Sequence, residues 1–424
     1  MSTLSTHQTS AGPEQSRAFT LIELLVAMAV GVVVLGALVT LLVETNQANR
    51  VSNGVARMQE NARFALDLMA REIKASTLQH CSAFDNRYPE SGVNTARALR
   101  VHFGGAMPHG LPDGGTVQPP PADVNDFLLS PRYFMQGHEC TAGGCLPDFT
   151  EVGADSTNPP AMGVAAGLRP LGSDVLTVRY LAQEGVNVDD STRGGSVEFD
   201  LSTRFSADPL AEIGYQAGDL LMISNCSVAE VFQPVAIGVE IHPSPVILSR
   251  YSEAEDARVT NFTRGFRTVS YFLQNRADPD QPGRLIPVLM RQVNGVAEEL
   301  VEGIERLDFR YVVEDNAGVE HVLTADQVNA GVSAGGGALV CQASPEGLPG
   351  VEPGCLWRSI SAVEIGMMAT SVDNVLAVAA PNYTYAFANE VDVTPGTTMP
   401  NGLPSEFVLR REFRTTVSLR TYNY

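Results

Sequence analysis

The residues with the clearest chemical potential are six cysteines, an even number that suits disulfide bonds in an oxidising compartment. They are Cys81, Cys140, Cys145, Cys226, Cys341 and Cys355. His138 stands two residues before the second of them, which is compatible with metal binding. The doubled Cys-x-x-Cys spacing of a structural zinc site is missing, however, so disulfides are the favoured chemistry. We predict no metal and no cofactor.

Other chemical signals in the chain are weak. The acidic turns at residues 189–190 and 278–280 lack the spacing of an EF-hand loop, so we interpret them as surface turns. The sequence contains neither His-Glu-x-x-His nor Gly-x-x-x-x-Gly-Lys, which mark metalloproteases and phosphate-binding loops. We therefore predict no catalytic residues and a chain that is not an enzyme.

A single carboxylate, Glu23, stands at the edge of a long apolar run. The twenty residues from Leu24 to Val43 carry no charge, which is the length that crosses about 30 Å of hydrocarbon as a helix. An unpaired carboxylate at that edge is costly. Glu23 is either an interfacial residue at the membrane surface or the partner of a cation within the membrane.

Charge is divided unevenly along the chain. The formal net charge is −20, and residues 1–78 are neutral overall, so residues 79–424 carry all of it. A body this acidic is a poor nucleic-acid binder, because phosphate binding depends on basic residues. The sequence therefore describes an acidic body on a neutral N-terminal stem.

The elements that position these residues begin with one long helix. An apolar stripe continues past the membrane segment at spacings of three and four, as in an amphipathic helix. Its members are Val51, Val55, Met58, Ala62, Ala65, Met69 and Ile73. No proline occurs from Phe19 to Leu78, which predicts one helix of about 60 residues and about 90 Å. Such a rod suits packing beside copies of itself, or it is a simple anchor and stalk.

The body, residues 79–424, has the pattern of a β-rich domain. Strand-like runs rich in β-branched residues occur at 175–180, 219–224, 245–248, 268–273, 287–291, 307–313, 360–369 and 413–422. Residues 298–304 have the composition of a short helix or turn. Ten of the 26 prolines lie between Met107 and Leu171, so we expect an insertion at about 105–171, outside the core and dispensable for folding. Residues 331–355 and 381–404 are predicted loops. The fold class is α+β, with the long helix packed on an antiparallel β-sheet body.

The start of the stem resembles a known processing site. The segment Ala18-Phe19-Thr20-Leu21-Ile22-Glu23 is similar to that of type IV pilins and related pseudopilins, although Ala18 stands where the family usually has glycine. The resemblance implies that prepilin peptidase removes residues 1–18 and that Phe19 is N-methylated. It further implies that Glu23 acts in assembly, by pairing with the amine of Phe19 of a neighbouring subunit.

The stem end and body resemble PilW-type minor pilins more narrowly. The similar segments are residues 59–68, 218–222, 271–273, 289–291, 300–311 and 410–420. The resemblance implies a minor pilin that initiates or caps a type IV pilus from the inner membrane, with a periplasmic body. It implies as partners other minor pilins, the major pilin, the assembly platform, prepilin peptidase and a tip adhesin. The alternatives are a type II secretion pseudopilin and a membrane-anchored periplasmic enzyme.

Export to an oxidising space predicts up to three disulfides. Close spacing favours the pairs Cys140–Cys145 and Cys341–Cys355, because short loops are easily closed. The remaining pair is Cys81–Cys226, which would tie the end of the stem to a strand of the body.

Overall fold

The computed structural model describes most of the chain. The described residues are 20–76, 78–79, 82–83, 99–102, 127–129, 134–141, 143–149, 159–190, 199–201, 207–225, 229–237, 240–244, 257–341, 354–377, 385, 387 and 407–419. The predicted strand at 245–248, most of the loop at 381–404 and the cysteines at 81 and 226 lie outside them. Two compact units divide the chain, residues 1–53 and residues 54–424.

The helices and strands have the following bounds. The helices are α1 (Leu21–Ala75), α2 (Pro209–Glu212), α3 (Phe262–Gly265) and α4 (Ala325–Ala330), with a 3₁₀ helix at Cys355–Ser359. The first strands are β1 (Leu78–Gln79), β2 (Ser82–Ala83), β3 (Leu99–His102), β4 (Phe127–Leu129), β5 (Met135–Thr141), β6 (Gly144–Leu146), β7 (Val175–Leu181), β8 (Val186–Asp190), β9 (Phe199–Leu201) and β10 (Leu221–Ser224). The remaining strands are β11 (Ala229–Ile237), β12 (Glu240–Ser244), β13 (Arg258–Asn261), β14 (Phe266–Ala277), β15 (Leu285–Val293), β16 (Val296–Glu302), β17 (Ile304–Glu314), β18 (Glu320–Leu323), β19 (Ile360–Thr370) and β20 (Arg410–Ser418).

The first unit contains the N-terminal part of α1. Its apolar side chains from Leu21 to Val43 are exposed all round the helix, with values between 50% and 78% for the large ones. This is the one helix of the described residues that is long and apolar enough to cross a membrane, with a mean hydropathy of 2.8 over its best window. A helix that is apolar on every side suits a hydrocarbon environment.

The second unit is built on two antiparallel sheets that share a core with the end of α1. One sheet has the order β16-β15-β14-β7-β5-β6, and the other has the order β18-β17-β19-β20. The predicted stripe is confirmed from Met58 onward, because Met58, Ala62, Ala65, Met69 and Ile73 are all at most 2% exposed and belong to the core cluster. Val51 and Val55 are only half-buried.

A third sheet within the second unit closes on itself. Its strands pair in the order β10-β13-β8-β9-β12-β11, and β11 returns to pair with β10. This ring encloses an apolar core that includes Val188, Leu221 and Phe232. The prediction of antiparallel sheets needs one correction here, because β3 joins β11 in parallel.

Two further predictions about the body are wrong. Residues 298–304 form no helix or turn: β16 runs to Glu302 along the edge of its sheet, and Gly303 leads into β17 with a positive φ of 82°. The side chains of β16 are polar because this edge faces solvent, and pairing with β15 overrides their weak intrinsic strand preference. The region 105–171 also enters the core, because β5 pairs with β7 and buries Met135.

Candidate functional site

The N-terminus of α1 is capped by the residues of the predicted processing site. Thr20 precedes the helix, and its backbone N–H and hydroxyl each donate to Glu23 Oε2 at 3.0 Å. The Thr20 hydroxyl accepts in turn from the Glu23 backbone N–H at 3.3 Å. This reciprocal arrangement is a capping box. Glu23 is exposed, while Ala18 and Phe19 lie outside the described residues.

A second glutamate of α1, Glu72, anchors the helix to the body. It lies on the buried stripe, three residues after Met69, and is only 6% exposed. Tyr180 of β7 donates its hydroxyl to Glu72 Oε1 at 2.8 Å, and Tyr271 of β14 donates to Oε2. A cation from β15 completes the cluster. Side chains from three strands, β7, β14 and β15, therefore contact this one carboxylate of the helix.

That cation is Arg291, which forms a buried ion pair with the helix. Its Nη2 lies 2.5 Å from Glu72 Oε1, and its Nε lies 3.2 Å from the same oxygen. Arg291 Nη1 also reaches Glu298 Oε1 on β16 at 2.6 Å. Only 8% of the Glu72 side chain and 19% of the Arg291 side chain are exposed. We call Glu72, Arg291, Tyr180 and Tyr271 the stem anchor.

The stem anchor changes the acidity of its members. Burial, followed by the negative charge of Glu72, raises the pKa of Tyr180 to about 12 and raises that of Tyr271 further. Burial alone would lower the pKa of Arg291, but hydrogen bonds to Glu72 and Glu298 outweigh it and raise the pKa. Both phenols therefore stay protonated and donate to the carboxylate at neutral pH.

Sequence reasoning missed the stem anchor, although one signal was available. Positions 65, 69, 72 and 73 share a helix face at spacings of three and four, so a charged residue at 72 stands within the apolar stripe. A charge at such a position needs a buried partner. Nothing in the sequence identifies the partner, because Arg291 is 219 residues away.

A second buried ion pair connects β17 and β20 of the four-stranded sheet, across the strand β19 that lies between them. Arg410 at the start of β20 contacts Glu305 of β17 through Nε at 2.6 Å and Nη2 at 3.0 Å. The two side chains are 4% and 0% exposed. Burial raises the pKa of Glu305, against the opposing effect of Arg410. This pair positions the C-terminal strand that the sequence predicts.

The two short disulfides are present as predicted. Cys140 pairs with Cys145 across the β5–β6 hairpin, and Cys341 pairs with Cys355. The predicted Cys81–Cys226 bond falls outside the described residues and stays a prediction.

The residues weighed for metal binding have other roles. His138 is buried, its Nδ1 lies 2.7 Å from the carbonyl oxygen of Pro147, and burial is the main cause that lowers its pKa to about 4. Asp278 accepts from Arg284 at 2.9 Å in a turn. Within the described part of the chain, no group of three or more His, Cys, Asp or Glu side chains could hold a metal ion.

One hydrolase-like pattern was missed in the sequence, because residues 331–335 read Gly-Val-Ser-Ala-Gly. The structure places Ser333 in a turn after α4, where its Oγ accepts from the Gly337 N–H at 3.0 Å. A nucleophile elbow requires a strand, a sharp turn and a helix in succession. Ser333 does not have that context.

Comparisons with known families match both ends of this arrangement. Residues 15–39 match the prokaryotic N-terminal methylation motif, and residues 270–421, about a third of the chain, match the Type IV Pilus-assembly protein W. The first range contains Thr20 and Glu23, and the second contains Tyr271 and Arg291. The predicted resemblance to a PilW-type protein of type IV pilus assembly is thereby confirmed over these ranges.

Other comparisons add less. No curated protein matches the chain. A type IV-like pilin from Thermus thermophilus, TTHA1219, is 15% identical over 49% of this chain and 87% of its own, with a TM-score of 0.18. A score this low supports no superposition, so the α+β architecture rests on the chain's own elements. The methylation motif and the long apolar helix together fit a membrane-anchored pilin.

Proposed function

We propose that this protein is a minor pilin that helps to initiate or cap a type IV pilus. One observation carries the proposal: a single chain joins an N-terminal methylation motif, which extends into an exposed apolar helix, to a body that matches a PilW assembly protein. In this proposal the helix inserts in the inner membrane with the body in the periplasm. Its partners are other minor pilins, the major pilin, the assembly platform and a tip adhesin.

Processing would create the group that Glu23 needs. Cleavage by prepilin peptidase between Ala18 and Phe19 leaves a free amine at Phe19, which N-methylation keeps basic. The capping contacts of Glu23 that the structure describes both use Oε2, which leaves Oε1 for a donor from a neighbouring subunit. Pairing with that amine would offset the desolvation of two charges in an apolar environment. It would also set the register between adjacent helices.

The stem anchor would hold the body to the helix during assembly. In this proposal, assembly exerts force on the helix of the pilin. That force reaches the body through residues 54–75 and their contacts. These contacts combine the apolar stripe with the buried Glu72–Arg291 pair. Asn61 adds a hydrogen bond to the carbonyl oxygen of Glu302 at 3.2 Å. The proposed mechanism is thus assembly rather than catalysis.

The test is the mature N-terminus and pilus incorporation of full-length protein in its own host. Mass spectrometry should find a chain that begins at N-methylated Phe19. The variant Glu23→Val should insert and be cleaved but remain in the membrane fraction, whereas Glu44→Val should enter pili normally. Glu44 is the matched control because it is an exposed glutamate at the other end of the same apolar run.

Three results would contradict the proposal in different ways. Retention of residues 1–18 on assembled protein would reject the processing step. Normal incorporation of Glu23→Val would make Glu23 an interfacial residue only. Loss of protein secretion with normal piliation, after deletion of the gene, would favour a type II secretion pseudopilin.

A further inference from the structure

A buried guanidinium lies directly against one of the two disulfides. Arg169 Nη2 is 3.3 Å from Cys145 Sγ, and Arg169 Nη1 is 3.6 Å from Cys140 Sγ. The arginine is 3% exposed, and its Nε donates to the carbonyl oxygen of Pro160 at 2.7 Å. Its guanidinium carbon lies 5.2 Å from the centre of the Phe149 ring. These contacts fix the cation over both sulfur atoms.

Asp174 is the acidic residue whose charge acts on Arg169. Burial lowers the pKa of Arg169 to about 10, which still leaves it charged at neutral pH. The carboxyl that attracts it is Asp174, whose oxygens accept the backbone N–H groups of Cys140 and Phe309 at 2.9 and 3.0 Å. Burial, with the nearby charges of Glu139 and Asp308, raises the pKa of Asp174 well above its usual range. A carboxyl that is harder to ionise balances the neighbouring buried cation less well, and a poorly balanced buried charge is unfavourable.

Reduction of the disulfide would place a thiolate beside the Arg169 guanidinium, which lies 3.3 Å from one sulfur atom and 3.6 Å from the other. Cations beside a cysteine lower the pKa of its thiol and stabilise the thiolate. Stabilising the reduced form makes a disulfide easier to reduce. Cys145 is only partly buried, while Cys140 is 4% exposed, so attack by an external thiolate is expected at Cys145. We propose that Cys140–Cys145 is a redox-active disulfide, a site of reversible modification by an external dithiol, and that Arg169 tunes it.

The reaction is a two-electron thiol–disulfide exchange. A thiolate of the dithiol attacks Cys145 Sγ, the bond between the two protein sulfurs breaks, and Cys140 leaves as a thiolate beside Arg169. The second sulfur of the dithiol then attacks the mixed disulfide and releases the Cys145 sulfur. The dithiol is oxidised to its own disulfide, the protein gains two electrons, and the two protons of the dithiol pass to the cysteines or to solvent.

The second disulfide of the described residues provides an internal control. Cys341 and Cys355 are 2% and 7% exposed and lie in the main apolar core. Full-length oxidised protein in detergent would be equilibrated with a series of reduced to oxidised dithiothreitol ratios. Differential alkylation and mass spectrometry would then report the reduced fraction of both pairs in each sample. The same titration would be run on Arg169→Lys and Arg169→Gln.

We expect Cys140–Cys145 to be half-reduced at a dithiothreitol ratio about tenfold or more below that of Cys341–Cys355, a difference of about 30 mV per factor of ten. Arg169→Gln should raise the midpoint ratio of Cys140–Cys145 about tenfold, with Arg169→Lys between the two and the Cys341–Cys355 midpoint unchanged.

The variants separate the effect of Arg169 from that of loop length, because both pairs keep their sequence separations of 5 and 14. Equal midpoints for the two pairs in the native protein would overturn the proposal. An unchanged Cys140–Cys145 midpoint in both Arg169 variants would overturn it as well. If Arg169→Gln also shifts the Cys341–Cys355 midpoint, the variant has disturbed the fold, and Arg169→Lys decides.

Discussion

The stem anchor makes a quantitative prediction about Glu72. Replacing Glu72 by leucine leaves the Arg291 guanidinium, 19% exposed, without its main partner. It also leaves the buried hydroxyl of Tyr271 without its acceptor. Breaking a buried ion pair by removing one partner costs about 3–5 kcal/mol. Because Arg291 keeps Glu298, we expect the lower part of that range, about 3 kcal/mol, or roughly a hundredfold in the folded-to-unfolded ratio.

The assay uses a reporter that the sequence supplies. Trp357 is the single tryptophan of the chain, is 3% exposed and lies in the same core cluster as the buried helix residues. Urea unfolding of full-length protein in detergent, followed by Trp357 fluorescence, therefore measures the stability of the body together with its helix. Glu72→Gln keeps an acceptor but no charge, so it should cost about 1–2 kcal/mol, since hydrogen bonds to charged groups are the stronger ones.

Two controls determine whether the pair itself is responsible. Glu60→Gln changes an exposed glutamate of the same helix and should alter stability by less than about 0.5 kcal/mol. In a double-mutant cycle, Glu72→Leu with Arg291→Met should be less destabilising than the sum of the single variants, by about 1–3 kcal/mol. The stabilising role of the stem anchor would be refuted if the changes in unfolding free energy of the two single variants add up to that of the double variant. It would also be refuted if the Glu72→Leu variant is as stable as the native protein.

Two further predictions follow from the same core. The pKa of Tyr180 in the folded protein, about 12, lies above the unfolded value of about 10, so its hydrogen bond stabilises fully below about pH 10 and is lost as the pH rises through about 12. Tyr180→Phe should therefore remove the tyrosine that ionises near pH 12 in a spectroscopic titration, and loss of a tyrosine ionising near pH 10 would contradict the buried contact. Deleting residues 108–160 should prevent folding, because it removes β5 from the six-stranded sheet; a deletion variant that resists protease in detergent would contradict this.

The long N-terminal helix could be predicted from local sequence patterns. The helix bounds, Leu21–Ala75, follow from an unbroken absence of proline and from a stripe whose members recur every three or four residues. The β14–β15 pair was also predictable, because residues 268–273 and 287–291 are strand-like runs that follow each other along the chain, and they pair from Val269 with Val293 onward. In each case the deciding information lies within neighbouring residues.

Prediction failed where distant partners decide the structure. Residues 298–302 look unlike a strand, yet they pair with β15. Arg291 of β15 also forms an ion pair with Glu298, and Arg276 of β14, one strand further away, forms ion pairs with Glu299 and Glu302. The proline-rich composition of 105–171 concealed β5, whose partner β7 begins more than thirty residues later. The proline content indicates the connections of that region but not the short strands between them.

Two of the glutamates of α1, Glu23 and Glu72, show how the same residue type takes opposite roles along one helix. Glu23 is exposed beside an apolar surface and uses one oxygen for the cap, so its remaining capacity suits a partner from another molecule. Glu72 is buried, and the hydrogen bonds from Tyr180, Tyr271 and Arg291 occupy both of its oxygens within the chain. A charge satisfied internally stabilises the subunit, whereas a charge left to find its partner between subunits can direct assembly. Loss of Glu72 should thus lower the stability of the body, and loss of Glu23 should leave the stability of the body unchanged while lowering incorporation.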